Sequence, residues 1–367
     1  TMSLLSTRIN LDAISHNVRR LKELVGPDVR LMCVVKADAY GHGVEKVAPV
    51  MLKAGADVLG CATVDEAVSL RSLGIEAPIE AWMWEPEQDL SDALSSNIVI
   101  GVPSLAHARV LVDIEVPVKV VIKVETGMHR NGVDRAQWDE VFALLRDAEH
   151  IEVTGLMSHL ACADEPDNPH TDVQAAEFTQ AVARARELGL ECPINHLANS
   201  PATLTRKDLH FQQVRVGLAC YGLEPVAGLE HGLEPAMTWA ANIINIKPIK
   251  KGESSCYGLT WTAPADGYLA VVPVGYADGL PRSIQGALQV SISGKSYQQV
   301  GRVSMDQIVV DLGDNPFGVA VDDEAIIFGE GGHSATELAD AAGTINYEIV
   351  CRPTGRTKRT YEGGIDL

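Results

Sequence analysis

A lysine at position 36 closes a run of apolar, strand-like residues, and a small turn-rich loop follows it at once. Burying an ammonium group is costly unless the group is paired or neutralised, so a lysine at the end of a buried strand is seldom there for packing. Desolvation favours loss of the proton, and a neutral amine can form an imine with an aldehyde. Lys36 is therefore a candidate for covalent catalysis, although a lysine whose head group simply reaches solvent gives the same pattern.

Other side chains with useful chemistry also follow strand-like segments. Apolar runs predict strands at residues 29–35, 57–62, 78–83, 97–102, 118–125, 152–159, 193–197 and 214–221, with helices between them. About eight such units predict an α/β fold, a (β/α)8 TIM-like barrel, in which functional residues stand at the carboxyl ends of the strands. The side chains expected there, besides Lys36, are Arg130, His159, Ser200 and Arg215.

The pattern outside these strands predicts the rest of the architecture. An amphipathic helix with Asp12 as its N-cap precedes the first strand, and the barrel domain is expected over residues 8–232. Residues 233–367 change character. Short strands at 269–274, 288–292, 297–300, 303–310 and 324–328 predict a mostly antiparallel β domain, with which residues 1–7 are expected to pair.

Composition excludes several classes of protein. A formal net charge of −19 on 367 residues argues against binding to nucleic acid or to anionic membranes. No apolar run has the length of a membrane span, and the first residues lack the pattern of a signal peptide. Seven scattered cysteines without a CxxC pair indicate reduced thiols in a cytoplasmic protein and no metal site.

The segment VVKADAYGHG, which contains Lys36, resembles the pyridoxal-phosphate lysine motif of bacterial alanine racemases, and the resemblance continues along nearly the whole chain. It implies that Lys36 holds pyridoxal 5′-phosphate and serves as one catalytic base. The segment QVRVGLACYG matches a second motif, in which Arg215 faces the pyridine nitrogen. Arginine does not readily give up its proton, so it would donate a hydrogen bond and leave that nitrogen unprotonated.

A racemase must remove and return the α-proton on opposite faces of its substrate, which one base serves poorly. The segment CYGLTW matches a third motif, and the resemblance assigns the second base to Tyr257, reaching in from the partner subunit of a homodimer. Nearby positive charge would favour its ionised form, and His159 and Arg215 are the candidate sources. Read without the resemblance, a tyrosine in a turn is more typical of packing than of catalysis.

Two further segments, KVETGMHRNG and GRVSMDQ, carry the substrate residues that the resemblance implies. Arg130 would contact the cofactor and the substrate carboxylate, and Met305 and Asp306 would surround that carboxylate from the partner subunit. Lys123 matches a lysine that many relatives carry as a carbamate, whose negative charge would hold Arg130 in place.

The chain departs from the family pattern at three of these positions. Glu125 stands where Asp is usual, His129 where Gly is usual, and Ser304 where Cys is frequent. The first two changes leave the geometry of the loop and the carbamylation of Lys123 open. The third lies beside the site and is expected to alter the chemistry little.

The remaining roles concern the phosphate and the entrance. A barrel frequently holds phosphate at its last two loops, where Ser200 and the backbone N–H groups of Gly217 and Leu218 are the candidates. The resemblance adds Tyr40 and Tyr347 as phosphate contacts, His159 as a cofactor neighbour, and an outer gate formed by Asp164, Arg282, Arg302 and Ile345.

The resemblance implies a two-base, pyridoxal-phosphate-dependent racemase that interconverts L-alanine and D-alanine and supplies D-alanine for peptidoglycan. Two alternatives stay open. One is a related racemase of broader substrate range, and the other is a non-catalytic pyridoxal-phosphate-binding barrel protein. Such carriers generally lack a β domain and a second base, both of which this sequence predicts. A cofactor-free Schiff-base aldolase would need neither Arg215 nor a phosphate site.

Overall fold

The structure, a computed structural model, describes residues 3–365, which divide into two compact units. The barrel unit comprises residues 14–39 and 44–234, and the β unit comprises residues 3–13, 40–43 and 235–365. The predicted limits at residues 1 and 367 lie outside the described residues. None of the helices within residues 3–365 combines the length and the apolar character that a membrane span requires.

The barrel unit is built on parallel strands. After β1 (Leu5–Asn10), which belongs to the β unit, its strands are β2 (Arg30–Val34), β3 (Val58–Thr63), β4 (Ile79–Met83), β5 (Val99–Val102), β6 (Val118–Lys123), β7 (Ile151–Met157) and β8 (Gln213–Val216). They lie in the order β7-β6-β5-β4-β3-β2-β8, and every neighbouring pair is parallel. The buried Val, Ile and Leu residues that dominate these strands suit a sheet covered on both faces.

The predicted strand at residues 193–197 is wrong as a regular strand. Only His196 makes strand-like bridges, to Met157 of β7 and to Gln213 of β8. The N–H groups of Ile194 and His196 still donate to backbone carbonyls of β7, but the side chain of Asn195 interrupts the ladder between them, since its Oδ1 accepts the N–H of Leu156 at 2.9 Å. Because His196 joins the two edge strands, the sheet closes on itself, and the predicted barrel is confirmed with its seventh strand reduced to one bridging residue.

Helices alternate with these strands. Their bounds are Leu11–Val25, Val44–Ala54, Val64–Ser72, Ser91–Leu94, Leu105–Ile114, Trp138–Arg146, His170–Glu187 and Ser200–Thr205. The first helix buries Ile14, Val18 and Leu21, as its apolar period predicts. Its N-cap, however, is not Asp12. Asn10 precedes the first helical residue, and its Oδ1 accepts the N–H of Ala13 at 3.0 Å, as an N-cap side chain does.

The β unit is dominated by one sheet. Its further strands are β9 (Met237–Asn242), β10 (Asn245–Ile249), β11 (Ser254–Ser255), β12 (Trp261–Thr262), β13 (Gly267–Val272), β14 (Gln289–Ile292), β15 (Lys295–Val300), β16 (Ile308–Gly313), β17 (Glu324–Phe328) and β18 (Lys358–Glu362). The nine-stranded order is β10-β13-β16-β15-β14-β17-β9-β1-β18, and β11 pairs with β12. β1 pairs antiparallel with β9 and parallel with β18, so the N-terminal segment joins this sheet from Leu5 onward.

Two loops of the β unit differ in how well the sequence predicts them. The strands predicted at residues 288–292 and 297–300 form a hairpin, β14 and β15, that turns through Ser293 (φ 50°) and Gly294 (φ 79°), as a two-residue turn requires. The strand predicted from residue 303 begins only at Ile308, because residues 303–307 form a loop closed by the N–H of Ser304 on the carbonyl of Gln307. Two short helices, Ala335–Ala342 and Asn346–Val350, follow β17.

Candidate active site

The half-buried Lys36 lies one residue beyond β2, after Val35, and begins a turn of unusual handedness. Ala37, Asp38 and Ala39 have φ of 52–55° and ψ of 49–52°, and Tyr40 has φ 53°. Four successive L-residues therefore form a left-handed turn, a conformation that costs roughly 1–2 kcal/mol per residue. The sequence indicates a turn here but gives no signal of its hand, because alanine has no preference for the left-handed region.

Two carboxylates fasten this turn within the barrel unit. The N–H of Ala37 donates to Oε2 of Glu66 at 2.7 Å, and the N–H of Val44 donates to Oδ1 of Asp38 at 2.8 Å. The first bond ties the turn to the helix after β3, and the second ties it to the start of the helix Val44–Ala54. The backbone beside Lys36 is thus held at both ends by side chains.

Four positively charged side chains act on His159, which lies two residues after the end of β7. Burial is the main cause that holds the pKa of His159 well below its usual range, and Arg215, Arg130, Lys123 and Lys36 lower it further in that order. Lys36 follows β2, Arg215 lies in β8, and both Lys123 and Arg130 come from the end of β6 and the loop after it. The structure therefore gathers five of the predicted site residues, and the imidazole among them is neutral at pH 7.

Lys123, the last residue of β6, has the chemistry expected of a reactive amine. Burial, with the charges of Arg215, Arg130 and Lys36, lowers the pKa of Lys123 to about 8, while Glu125 opposes the shift. A sizeable neutral fraction is thus present near neutral pH, and a neutral amine is nucleophilic.

Arg215 is buried at the centre of this cluster and is held by several partners. Its Nη1 donates to Nδ1 of His196 at 2.7 Å, and its Nη2 donates to the carbonyl of Ser158 at 2.8 Å and to Nδ1 of His159 at 3.0 Å. A guanidinium group has only donors, so both imidazoles must accept through Nδ1. Each imidazole therefore carries its proton on Nε2.

Sequence reasoning missed the residues that stand behind Arg215. Nε2 of His196 lies 3.0 Å from Oε2 of Glu80, and Nε1 of Trp82 donates to the same oxygen at 2.8 Å. Burial alone would raise the pKa of Glu80, but His196, Trp82 and Arg215 together hold it below its usual value. The available signal was a glutamate inside an apolar strand, since a buried carboxylate needs partners.

Ser200 opens the helix Ser200–Thr205 and is almost fully buried. Its Oγ accepts the N–H of Gly217 at 3.2 Å and that of Ala219 at 3.3 Å, and Leu218 lies buried between them. A hydroxyl and the N–H groups of Gly217 and Ala219 thus converge after β8. This is the chemistry that binds a phosphate without added side-chain charge.

The β unit presents Tyr257 on a short, strained turn, Tyr257–Leu259, and the residue is 72% exposed. Leu259 has φ 50°, and Cys256 has φ 68° and ψ 175°, a region that only glycine enters readily. Cys256 packs against Gly301, where an added Cβ would lie 2.8 Å from the Cβ of Cys256. The turn therefore leaves the phenol accessible to a ligand or to another chain.

Met305 and Asp306 lie on the loop 303–307 of the same unit. A Cβ on Gly275 would lie 2.3 Å from the carbonyl oxygen of Met305, so glycine is needed beneath this loop. Oδ1 of Asp306 accepts from Nη1 of Arg356 at 2.8 Å, and Nε of Arg356 donates to the buried Asp278 at 2.9 Å. Arg356 and Asp278 are supports that sequence reasoning missed.

The β unit also places the segment of Tyr40 beside the helix of Tyr347. A Cβ on Gly41 would lie 2.7 Å from the carbonyl oxygen of Val350, so the segment 40–43 packs closely on the helix Asn346–Val350. The two predicted phosphate tyrosines thus lie on neighbouring elements. The predicted gate residues of this unit are Arg282, Arg302 and the 60%-exposed Ile345, whereas the exposed Asp164 belongs to the barrel unit.

The loop after β6 contains Glu125 and His129, the two positions at which its sequence departs from the usual Asp and Gly. Oε1 of Glu125 accepts the N–H of Gly127 at 2.7 Å and that of His129 at 2.8 Å, which closes the loop before Arg130. His129 has φ 55°, and its side chain is 82% exposed. A histidine therefore occupies a left-handed position that glycine would adopt without strain.

Comparisons with known proteins point to one family. The family models described as "Alanine racemase, N-terminal domain" and "Alanine racemase, C-terminal domain" match residues 9–225 and 236–361. The alanine racemase of Corynebacterium efficiens is 61% identical over 365 residues, covering 99% of each chain.

Solved structures agree. The crystal structure of alanine racemase from Corynebacterium glutamicum gives a TM-score of 0.91 at 54% identity, covering 98% of this chain and 100% of the other. That of alanine racemase from Bacillus anthracis with bound L-Ala-P gives 0.91 at 33% identity, covering 99% of this chain and 96% of the other. The likeness extends over both units.

Proposed function

This chain belongs to the alanine racemase family and interconverts L-alanine and D-alanine, and we propose that it does so with pyridoxal 5′-phosphate held covalently by Lys36. One observation carries this proposal. A half-buried lysine follows β2, the buried Arg215 lies in the neighbouring strand β8, and both charges act on His159 and Lys123. The Ser200 hydroxyl meets the N–H groups of Gly217 and Ala219 at the end of the same strand β8. The site thus combines an amine, a guanidinium and a hydroxyl with backbone N–H groups. A ligand that uses all of them needs an electrophilic carbon for the amine, a hydrogen-bond acceptor for the guanidinium and an anionic group for the remaining donors.

The donor set of the barrel unit fits this cofactor. An aldehyde needs an amine, which Lys36 supplies. A phosphate needs clustered donors, and we propose that the Ser200 hydroxyl and the N–H groups of Gly217 and Leu218 would supply them. The N–H of Gly217, which donates to Oγ of Ser200 at 3.2 Å, would then turn from the hydroxyl to the phosphate. A pyridine nitrogen needs a single donor, and Arg215 is suited to it because its guanidinium is held in place by His159.

When bound, pyridoxal phosphate withdraws electrons from the α-carbon of the amino acid and so acidifies the α-proton. Arg215 would donate a hydrogen bond to the pyridine nitrogen and leave that nitrogen unprotonated, since a guanidinium keeps its proton. That limits how far the negative charge spreads into the ring, which disfavours side reactions. Tyr40 and Tyr347 are proposed as further phosphate contacts, and His159 as a cofactor neighbour.

Two bases on opposite faces are proposed to move the α-proton. Nζ of Lys36 would take or return it on one face, and the phenolic oxygen of Tyr257 would do so on the other. We propose that this tyrosine comes from the partner subunit of a homodimer, so that each active site is shared between chains. The exposed phenol of Tyr257 supports this, because a second chain can reach it.

The substrate carboxylate is proposed to bind Arg130 together with Met305 and Asp306 of the partner subunit. The crystal structure of alanine racemase from Bacillus anthracis contains bound L-Ala-P, and this relative supports alanine as the substrate here. Lys123 is proposed to add carbon dioxide, releasing one proton and forming a carbamate that pairs with Arg130. Its pKa of about 8 supports this, and ¹³C NMR under labelled carbon dioxide tests it, since no carbamate signal would reject it.

We propose that the D-alanine formed serves peptidoglycan synthesis in the cytoplasm. The seven free cysteines agree with a reducing compartment. Asp164, Arg282, Arg302 and Ile345 are proposed to form the outer gate through which small amino acids enter. Neither nucleic acid nor membrane is proposed as a partner.

The direct test of this function is to incubate the purified protein with single L-amino acids and to measure the D-isomers by chiral chromatography. D-Alanine should form fastest, and the Lys36→Ala variant should form almost none. If larger or charged amino acids are racemised as fast as alanine, the enzyme is a racemase of broader substrate range and not one specific for alanine. No racemisation by the cofactor-loaded protein would overturn the proposal.

A further inference from the structure

Glu66 connects the turn of Lys36 to the end of β3. Its Oε2 accepts the N–H of Ala37 at 2.7 Å, and its Oε1 accepts the N–H groups of Ala62 and Thr63 at 3.0 Å each. The contacts with Thr63 belong to ordinary helix capping, since Oγ1 of Thr63 accepts the N–H of Glu66 in return. The bond to Ala37 has no part in capping, because it leads to a different strand.

The three N–H groups need both carboxylate oxygens. One oxygen serves Ala37 and the other serves Ala62 and Thr63, so each side of the carboxylate is occupied. A glutamine offers one acceptor oxygen and an NH₂ group that can only donate. An amide at position 66 would therefore leave at least one N–H facing another donor. Only a carboxylate can bind both strand ends at once.

We propose that Glu66 is a positioning residue for Lys36, a role that rests on the proposed function of that lysine. The turn from Ala37 to Ala39 is left-handed, and such a turn does not persist without restraints. Asp38 restrains its far end through Val44, and Glu66 restrains its first N–H. Without Glu66 the turn relaxes toward ordinary backbone angles, the amine of Lys36 samples more orientations, and the cofactor is held less tightly.

The test compares three variants of the full-length holoenzyme. Glu66→Gln disrupts the contacts by which Glu66 joins Ala37 to the end of β3, which we call the clamp. Thr63→Val removes the helix cap but leaves the bond to Ala37, and Asp65→Asn removes a charge from the same helical turn. In Glu66→Gln, pyridoxal phosphate should be lost on dialysis about tenfold faster, as expected for one charge-assisted hydrogen bond. Hydrogen–deuterium exchange of residues 37–44 should also quicken. Thr63→Val should melt at a lower temperature with both readouts unchanged, and Asp65→Asn should match the unaltered enzyme.

The outcomes separate this inference from the proposed function. If borohydride fails to label Lys36 in the unaltered enzyme, the proposed function is wrong. If Lys36 is labelled there and Glu66→Gln keeps its cofactor as well as the unaltered enzyme, only the role of Glu66 is wrong. Equal cofactor loss in Thr63→Val would also reject it, because capping would then explain the effect. Should Glu66→Gln not fold, Glu66→Asp keeps the charge but is too short to reach both strand ends, and retention of normal cofactor release would reject the clamp.

Discussion

Arg215 donates a hydrogen bond of 2.7 Å to Nδ1 of His196, and this bond places the imidazole proton on Nε2, toward Glu80. The guanidinium is thus held by a neutral ring and not by a carboxylate. Glu80, the acidic end of the chain of hydrogen bonds, lies one imidazole away. The positive charge of Arg215 therefore acts on the nearby titratable groups and contributes to lowering the pKa values of His159 and Lys123.

The buried histidines predict how stability depends on pH. Burial, first of all, lowers the pKa values of His159 and His196 in the folded chain, so the unfolded chain binds more protons below about pH 6.5. The free energy of unfolding should therefore fall on acidification below that pH, by up to about 1.4 kcal/mol per pH unit for each histidine.

Urea unfolding between pH 7.5 and 5.5, at one fixed protein concentration, measures this slope. The His159→Gln variant cannot take up a proton at that position. Its slope of unfolding free energy against pH should therefore be smaller by up to about 1.4 kcal/mol per pH unit. Stability that is constant or rises on acidification would show that these histidines are already protonated in the folded chain.

Tyr257→Phe removes only the hydroxyl of an exposed ring. Stability should change by less than about 0.5 kcal/mol, and the cofactor should stay bound. The rate of racemisation should fall roughly 10²–10⁴-fold in both directions, which is the usual effect of losing a positioned acid or base. Rates of D-alanine and L-alanine formation measure this, and near-normal rates would remove Tyr257 from the mechanism.

His129→Gly should stabilise the loop before Arg130, because glycine adopts φ 55° without strain. His129→Ala is the matched control, since it removes the imidazole but keeps the left-handed penalty. We expect the glycine variant to exceed the alanine variant by about 1 kcal/mol in the free energy of unfolding. The distant salt contact of His129 with Glu125, at 3.7 Å and with an 82% exposed imidazole, contributes little. An alanine variant as stable as the glycine variant would contradict the strain.

The sequence predicted most strands of the barrel unit and the antiparallel character of the β unit, because apolar runs and turn residues carry local signals. It could not predict features that depend on several distant residues. The hand of the turn after Lys36 depends on Glu66 and Asp38, and the loss of the strand around His196 depends on the side chain of Asn195. The partners of Arg215 were missed for the same reason, since nothing near Glu80 in the sequence reveals what it faces.

Complementation tests the shared site. Lys36→Ala and Tyr257→Phe chains should each be nearly inactive as homodimers. Refolded together, about half of the dimers should be mixed, and each mixed dimer should hold one intact site and one doubly defective site. Activity should recover to about one quarter of the native value per site. Heterodimers confirmed by mass that stay inactive would place both residues in one chain.

Borohydride reduction of the purified, pyridoxal-phosphate-loaded protein, followed by peptide mass analysis, tests the central claim most directly. Reduction fixes the cofactor to whichever amine holds it. The account predicts that the mass of the cofactor appears on the peptide containing Lys36, and that Lys36→Ala shows no labelled peptide. Labelling of another lysine such as Lys123, or protein that binds no cofactor, would contradict it.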